Sequence, residues 1–320
     1  MKGTVFILFI FLCQTTSADP LDIAGVDSIE LFYPKTYLPL KDPQPQGDFE
    51  KMLIPLKRVG NIYLIEAKVD GVIGNFVLDL GAPYLVLNST YFRDYKVLRE
   101  YRSGTLTSEN SFIRRTSVKR FEFEEVFFEN IEADITDLAR IENKRGVKIL
   151  GLMGVNLFKS FVFELDMRSN QLVLYKTVPV EHQEEDLILE TDLSIQNDVL
   201  LIRSEINGKK LKFSLDTGAE VNIVDSRLPG RIFDGMKISR KTTVSGASGQ
   251  TAEVLLVSMG KMKIGEVEFD GMRTLVLNLN TMSRAYGLGI DGMLGYSFFS
   301  RGKVVLDFRN GKLKMYSNGN

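Results

Sequence analysis

Histidine, cysteine and tryptophan are almost missing from this chain. Its 320 residues include one histidine, His182, one cysteine, Cys13, and no tryptophan. A hydrolase built on a Ser–His or Cys–His pair could use only His182, and a histidine-rich metal site cannot be assembled. Net charge is also small, with 40 Lys and Arg against 41 Asp and Glu. Because phosphate binding requires a basic surplus, this balance argues against nucleic acid as a partner. We expect neither a metal nor a cofactor.

The N-terminal residues have the pattern of a secretory signal. Lys2 precedes the apolar run Val5–Cys13, and the small residues Ser17 and Ala18 follow as a cleavage site. The run has roughly ten residues, whereas a membrane-spanning helix needs about 20. We therefore expect residues 1–18 to be a cleaved signal peptide that leaves no membrane span. The mature chain, which then lacks disulfides, is expected in the periplasm or the extracellular space.

The length predicts about two domains. Residues 19–48 contain five prolines and predict an extended N-terminal arm. Beyond the arm, short strand-like runs alternate with Gly, Asn and Asp, which predicts a mainly β chain with tight turns. The run Phe121–Phe128 alternates apolar and acidic residues and predicts one strand with a solvated face. The charged stretch 179–186 predicts a linker between a first lobe at 49–178 and a second at 187–320.

An internal repeat supports this division. The segment Gly151–Tyr175 aligns with Gly292–Tyr316 at an offset of 141 without a gap, and eight of the 25 positions are identical. Upstream, Val69–Ala82 aligns with Ile206–Ala219 at an offset of 137. Two copies of one β unit predict a bilobed molecule with a pseudo-twofold axis. Such an axis brings equivalent residues together, so the chemistry is expected among the paired positions.

Two acidic pairs occupy equivalent positions in the copies. Asp166 and Asp307 lie between apolar runs, where a carboxylate most simply caps a hairpin turn or pairs with a nearby arginine. Asp79 and Asp216 instead end apolar strands, and a glycine follows each of them two positions later. A carboxylate carried toward the interior is costly unless it is paired or hydrogen-bonded. The second pair is therefore the candidate for chemistry.

Gly81 and Gly218 allow an unusual φ and the close approach of another backbone. Two such turns facing each other would bring the carboxyl groups of Asp79 and Asp216 within about 3 Å, where they share one proton. One carboxyl then acts as a general base and the other as a general acid around a single water. This pair can hydrolyse an amide without histidine, cysteine or metal. Asp79 and Asp216 are the predicted catalytic residues.

At these residues the chain resembles the retropepsin-like aspartic proteases. The matching sequences are the turns Asp79-Leu80-Gly81-Ala82 and Asp216-Thr217-Gly218-Ala219, with the distal blocks Leu152-Met153-Gly154 and Met293-Leu294-Gly295. The resemblance implies a mainly β acid-protease fold in which two barrel-like lobes are joined in one chain, as in pepsin, with the active cleft between them. It also implies that the three residues after each aspartate support the active-site turns.

The resemblance further implies how a substrate is held. Flap hairpins near Ser103-Gly104 and Ser245-Gly246 would close over a peptide or protein chain in extended conformation, which is captured by backbone hydrogen bonds. A water activated between the two carboxyls would cut the peptide bond. The enzyme is expected to be a monomer.

The first lobe departs from the family pattern at Leu80 and Pro83. The family places Thr or Ser after each aspartate, and its hydroxyl bonds across the axis; Thr217 can do this, but Leu80 cannot. Three interpretations follow. The chain is an exported aspartic endopeptidase, or a pseudo-protease that binds extended peptides without cutting them. In the third, two chains pair their Asp216 residues as a homodimer.

Overall fold

The computed structural model describes residues 12–14, 41–105, 108–177, 186–245 and 251–317. The predicted signal peptide apart from residues 12–14, most of the predicted arm, Gly246 and the linker residue His182 lie outside the described residues. The helices of the described residues all lack the length and the apolar composition that a membrane-spanning helix requires.

Strands dominate the described chain, and its helices are short. In the N-terminal part the strands are β1 (Leu12–Gln14), β2 (Lys51–Pro55), β3 (Lys57–Val59), β4 (Ile62–Val69), β5 (Val72–Leu78), β6 (Val86–Asn88), β7 (Arg99–Thr105), β8 (Ser108–Phe123), β9 (Val126–Thr136), β10 (Ile149–Met153), β11 (Val162–Asp166) and β12 (Gln171–Tyr175). The C-terminal part contains β13 (Leu187–Asp192), β14 (Ser194–Gln196), β15 (Val199–Ile206), β16 (Lys209–Leu215), β17 (Asn222–Asp225), β18 (Lys237–Ser245), β19 (Thr251–Ser258), β20 (Met262–Ile264), β21 (Val267–Phe269), β22 (Arg273–Leu277), β23 (Gly292–Leu294), β24 (Lys303–Asp307) and β25 (Lys312–Tyr316). The helices are α1 (Ser89–Phe92), α2 (Ala139–Arg145), α3 (Asn280–Tyr286) and α4 (Tyr296–Phe299), with 3₁₀ turns at Val155–Leu157 and Gly230–Phe233.

Three sheets organise these strands. The first lobe is an 8-stranded sheet in the order β3-β4-β5-β10-β6-β9-β8-β7. The second lobe is an 11-stranded sheet in the order β1-β18-β19-β22-β17-β23-β16-β15-β20-β21, with β14 paired to β15. A 6-stranded sheet, β13-β25-β24-β11-β12-β2, takes strands from both halves and joins the lobes. The mainly β, bilobed fold predicted from the sequence is confirmed.

The pseudo-twofold axis passes through the joining sheet. There β11 and β24 pair antiparallel, and Glu164 lies directly opposite Val305. These two residues are equivalent at the 141 offset of the repeat. A register in which equivalent residues face each other is what a twofold axis between the two strands requires. The repeat in the sequence therefore corresponds to the symmetry of the fold.

Alternating burial along the strands positions the core. Strand β2, for example, alternates exposed and buried residues along its length, as a sheet with one solvated face does. The largest buried cluster contains residues of both lobes, among them Phe76, Phe163, Phe213 and Leu306. Because this core is continuous across the lobe boundary, it fixes the two halves relative to each other around the axis.

Two predictions about turns have different outcomes. Asp166 accepts hydrogen bonds from the backbone N–H groups of Arg168 and Ser169, and Asp307 caps its own hairpin in the same way, so their predicted capping role is confirmed. The prediction of one strand over Phe121–Phe128 is wrong. The chain turns at Glu124, where φ is +47°, and Phe121 pairs with Phe128 across the resulting β8–β9 hairpin.

Candidate active site

Two equivalent strand ends place Asp79 and Asp216 at the lobe boundary. Asp79 follows β5, and its N–H donates to Met153 O at 3.1 Å; Asp216 follows β16, and its N–H donates to Leu294 O at 3.0 Å. Strands β10 and β23, which supply these carbonyls, run parallel to β5 and β16. Each aspartate is thus fixed by a neighbouring strand of its own lobe that carries the distal glycine block.

The distal glycines let the active-site turns pack closely. A Cβ added to Gly154 would lie 2.2 Å from Tyr84 O, and one added to Gly295 would lie 2.5 Å from Ala219 O. Real Cβ atoms do not approach oxygen this closely, so any side chain at either position would push the turn away. These glycines shape the site by leaving space.

Each turn also holds its own carboxylate. Asp79 Oδ1 accepts hydrogen bonds from the N–H groups of Gly81 at 3.0 Å and Ala82 at 3.2 Å. Asp216 Oδ1 accepts from the N–H of Gly218 at 2.7 Å. Hydrogen bonds to the charged form orient the carboxyl and favour its ionisation. Three of the predicted turn-support residues therefore act through their backbone.

Gly81 and Gly218 are required for a reason other than backbone conformation. We expected them to provide an unusual φ or a close approach, and neither has a positive φ. A Cβ at Gly81 would lie 2.4 Å from the carboxyl carbon of Asp216, and a Cβ at Gly218 would lie 2.8 Å from that of Asp79. The absent side chains leave room for the opposite lobe's carboxyl.

The structure brings the two carboxyls together. Asp79 and Asp216 are both fully buried, and their side chains lie within hydrogen-bonding reach of each other. Neither Oδ2 atom has a hydrogen-bond donor among the described residues. Two carboxylates cannot donate to each other, so a hydrogen bond between them requires a proton on one of the pair.

Burial shifts the pKa of both carboxyls in the same direction. Burial raises the pKa of Asp79, although hydrogen bonds from Asp216 and the turn N–H groups oppose it. Burial also raises the pKa of Asp216 well above its ordinary value, and the negative charge of Asp79 raises it further. The pair therefore retains one proton where ordinary carboxyls have lost theirs. This arrangement can supply one general base and one general acid at the same pH.

Thr217 links the two turns across the lobe boundary. Its hydroxyl donates to Leu78 O at 2.9 Å and accepts from the N–H of Leu80 at 3.0 Å. Leu80 makes no equivalent hydroxyl bond and is buried in the core cluster that spans the lobes. One threonine thus makes, from one side only, the contact that the family pattern makes from both.

We expect Thr217→Val to destabilise the fold strongly for an isosteric change. It leaves the buried Leu78 carbonyl and Leu80 N–H without partners, at a cost of about 2–4 kcal/mol. Thr274→Val is the matched control, because Thr274 is as deeply buried as Thr217 and its hydroxyl donates to Met272 O in its own lobe rather than across the lobe boundary. Urea unfolding measures the free energy of unfolding of both variants. Equal destabilisation by the two substitutions would contradict the role assigned to Thr217.

The predicted flap residues are only partly described. Ser103 and Gly104 lie in β7, which pairs with β8, and Ser245 ends β18, which pairs with β19. Gly246 lies outside the described residues. Their role in binding a substrate stays a prediction. No cluster of three or more His, Cys, Asp or Glu side chains able to hold a metal occurs in the described part of the chain.

One buried aromatic residue beside the two aspartates is not predicted from the sequence. Tyr286, at the end of α3, is buried, and its hydroxyl lies 3.5 Å from Gly81 O. Burial raises the pKa of its phenol, and the charges of Asp216 and Asp79 add to the increase. The 141 offset of the internal repeat pairs Tyr286 with Arg145 of the first lobe. This pairing is the sequence feature from which Tyr286 could have been identified.

Comparison with known proteins gives a family match within the second lobe. Residues 202–298, in the second lobe, match a family model described as aspartyl protease. The structure of aspartic proteinase from Irpex lacteus is similar with a TM-score of 0.48 and 11% identity, covering 83% of this chain and 97% of that one. Basic 7S globulin from soybean gives a TM-score of 0.46 and 11% identity, covering 85% and 96%. No curated protein sequence matches significantly. The predicted resemblance to the aspartic proteases is confirmed, on the sequence of the second lobe.

Proposed function

We propose that this chain is an exported aspartic endopeptidase. The observation that carries the proposal is the pair of buried carboxyls, Asp79 and Asp216, one from each lobe, that lie within hydrogen-bonding reach of each other. A buried acid pair is costly to maintain unless it has a use. The family match of the second lobe to aspartyl proteases supports the same chemistry.

We assign a role to each aspartate from the effect that each has on the other. Asp79 is the base, because the hydrogen bond from Asp216 stabilises its negative charge and opposes the effect of burial on its pKa. Asp216 keeps the proton, since the charge of Asp79 raises its pKa. Asp79 takes a proton from water as the water oxygen bonds to the amide carbon, and Asp216 gives its proton to the carbonyl oxygen. The C–N bond then breaks as Asp79 gives its proton to the leaving nitrogen and Asp216 takes a proton from a hydroxyl of the tetrahedral diol, so both carboxyls return to their starting states and no covalent intermediate forms.

An extended peptide is the substrate that the second-lobe flap strand best fits. The short segment Leu12–Gln14 pairs antiparallel with the end of β18, with Leu12 opposite Ser245. The end of β18 can therefore pair with an added strand, as capture of an extended peptide requires. Because Leu12–Gln14 falls within the predicted signal peptide, removal of that peptide would free the edge for a substrate.

A second candidate function is peptide binding without cleavage. Two observations favour it: both carboxyls have 0% exposure, and Leu80 replaces a hydroxyl residue with a buried apolar one. A substrate reaches the pair only after an opening movement exposes it. If that movement separates the two carboxyls, the chain binds a peptide but does not hydrolyse it.

Cleavage of a peptide library by the mature chain between pH 3 and 7 separates the two functions. We expect cuts at internal peptide bonds, with one oxygen atom from labelled water in each new carboxyl terminus. Because no covalent intermediate forms, added amine nucleophiles should not be incorporated into the products. Peptide binding, measured by fluorescence anisotropy, without any cleavage across this range would establish the binding function instead.

The pH profile of cleavage should be bell-shaped, and its acid limb should be displaced to higher pH. Activity requires Asp79 ionised and Asp216 protonated, so it falls at low pH as Asp79 gains a proton and at high pH as Asp216 loses one. Since burial raises the pKa of both groups, the acid limb should lie well above the ordinary value of 3.8. An acid limb of kcat/KM with its midpoint at or below pH 3.8 would contradict the argument that burial raises the pKa of Asp79.

A further inference from the structure

Equivalent helices in the two lobes end beside the opposite lobe's active-site turn. Helix α2 ends at Arg145 and α3 at Tyr286, and each is followed by a left-handed glycine, Gly146 and Gly287. The two end residues are related by the 141 offset of the repeat. The fold therefore places them at matching positions about the pseudo-twofold axis.

Arg145 contacts the second lobe's turn through an ion pair. Its Nη2 donates to Oε1 of Glu220, and Glu220 directly follows Ala219 of the turn that carries Asp216. The two side chains are 11% and 15% exposed, so water screens the pair far less than it screens a surface pair. Arg145 also packs against the first lobe, where Nη1 lies 2.5 Å from the position of a Cβ on Gly60. The guanidinium is held from both sides.

Tyr286 makes the corresponding contact in the opposite direction. Its hydroxyl points to the carbonyl of Gly81 in the turn that carries Asp79, and Asn197 donates to its backbone carbonyl at 2.7 Å. The position equivalent to Glu220 in the first lobe is Pro83, which has no carboxylate. The first-lobe turn therefore has no carboxylate with which an arginine could pair. A phenol at this position can instead bond to a backbone carbonyl of the turn.

We propose that Arg145 and Tyr286 are positioning residues that hold each active-site turn in register with the other, and we call the two contacts the cross-lobe clasp. The inference rests on the proposed function and extends it. The clasp complements Thr217, which bonds from one lobe only. The ion pair Arg145–Glu220 contributes more to the positioning of the turns than the contact of Tyr286 does, because it is charged and the Tyr286 contact is long and more adaptable.

Turnover tests the ionic half of the clasp. In the full mature chain, we expect Arg145→Met to lower kcat about tenfold, with KM changed less than about twofold, since the loss lies in positioning the reacting groups. Arg145→Lys should recover part of the rate. Glu220→Gln added to Arg145→Met should cause little further loss, because the pair is already broken.

Lys263→Met, which breaks the exposed pair with Glu266, is the matched control and should leave kcat unchanged. Tyr286→Phe should lower kcat by a smaller factor.

Hydrogen exchange of the turn amides tests the clasp without turnover. In Arg145→Met, we expect the N–H groups of Gly218 and Ala219 to lose protection about tenfold, while the N–H groups of β24 keep theirs. A chain that fails to cleave any peptide would overturn the proposed function, and the exchange result would still decide the clasp. Unchanged kcat with unchanged turn protection, or an equal loss of protection in β24, would overturn the clasp as a positioning device.

Discussion

Asp79→Asn and Asp216→Asn should each abolish cleavage and make the fold more stable at neutral pH. General acid–base catalysis contributes a factor of about 10² to 10⁴, and each variant removes one half of the pair, so we expect kcat/KM to fall by a factor of about 10² to 10⁴. An asparagine keeps the size of the side chain and its acceptor oxygen. It therefore retains the turn hydrogen bonds but carries no buried charge.

The stability gain follows from the raised pKa values. A carboxyl with a raised pKa binds its proton more tightly in the folded chain, so stability is highest at acidic pH and is lost as pH rises through the raised pKa. Burial raises the pKa of Asp79 from 3.8 to about 6, which corresponds to about 2–3 kcal/mol lost at pH 7. Asp79→Asn should recover this amount at pH 7 and little of it at pH 3.5.

Denaturant unfolding at both pH values, alongside peptide cleavage, measures the two effects. Asp94→Asn is the control, because Asp94 is exposed, and it should change neither quantity. Retained cleavage in Asp79→Asn would remove the first lobe from catalysis. If the chain is also a dimer in solution, that result would favour a homodimer in which two Asp216 residues pair. Inactive Asp79→Asn in a chain with the mass of a monomer would exclude the homodimer.

The second large effect expected is a loss of folding stability when Arg115 is replaced. Its guanidinium is 1% exposed and pairs with the fully buried Asp134, with Nε–Oδ1 at 2.8 Å and Nη2–Oδ2 at 3.1 Å. The pair also lies near Tyr84, whose ring centroid is 5.5 Å from the guanidinium carbon. We expect Arg115→Leu alone to cost about 3–5 kcal/mol, because it leaves a carboxylate buried without its cation.

The second lobe provides the matched replacement for this ion pair. At the 141 offset Arg115 and Asp134 correspond to Leu256 and Leu275, which are buried register partners in β19 and β22. The double variant Arg115→Leu/Asp134→Leu should therefore recover most of the stability lost in the single variant. A double-mutant cycle by urea unfolding measures the recovery. A double variant as unstable as the sum of the two single changes would contradict this interpretation.

Symmetry explains why the centre of the site could be predicted. The repeat pairs Asp79 with Asp216, and the cost of burying an acid makes this pair the candidate for chemistry, whereas Asp166 and Asp307 have an ordinary turn-capping role. The reason for Gly81 was only half predicted. Its backbone conformation is ordinary, and its value lies in the space left for the opposite carboxyl, which is a property of the assembled lobes.

Features that break the symmetry could not be predicted in the same way. Arg115 and Asp134 have leucines at the equivalent positions of the second lobe, so the repeat contains no second acid–base pair that would mark them. The turn at Glu124 has no Gly or Asn at its positive φ, so the alternation of Phe121–Phe128 continued across it unnoticed. The Arg145–Glu220 contact joins residues 75 positions apart and becomes visible only once the lobes are packed together.

The most direct test is a titration of the aspartate carboxyl carbons by NMR, assigned with Asp79→Asn and Asp216→Asn. If one proton is held between the lobes, Asp79 and Asp216 lose their protons in two separate steps, both above 3.8. Removing either aspartate should then leave its partner with a single step. Two independent titrations near 3.8, unchanged when the partner is replaced, would show that the two acids do not form a common centre.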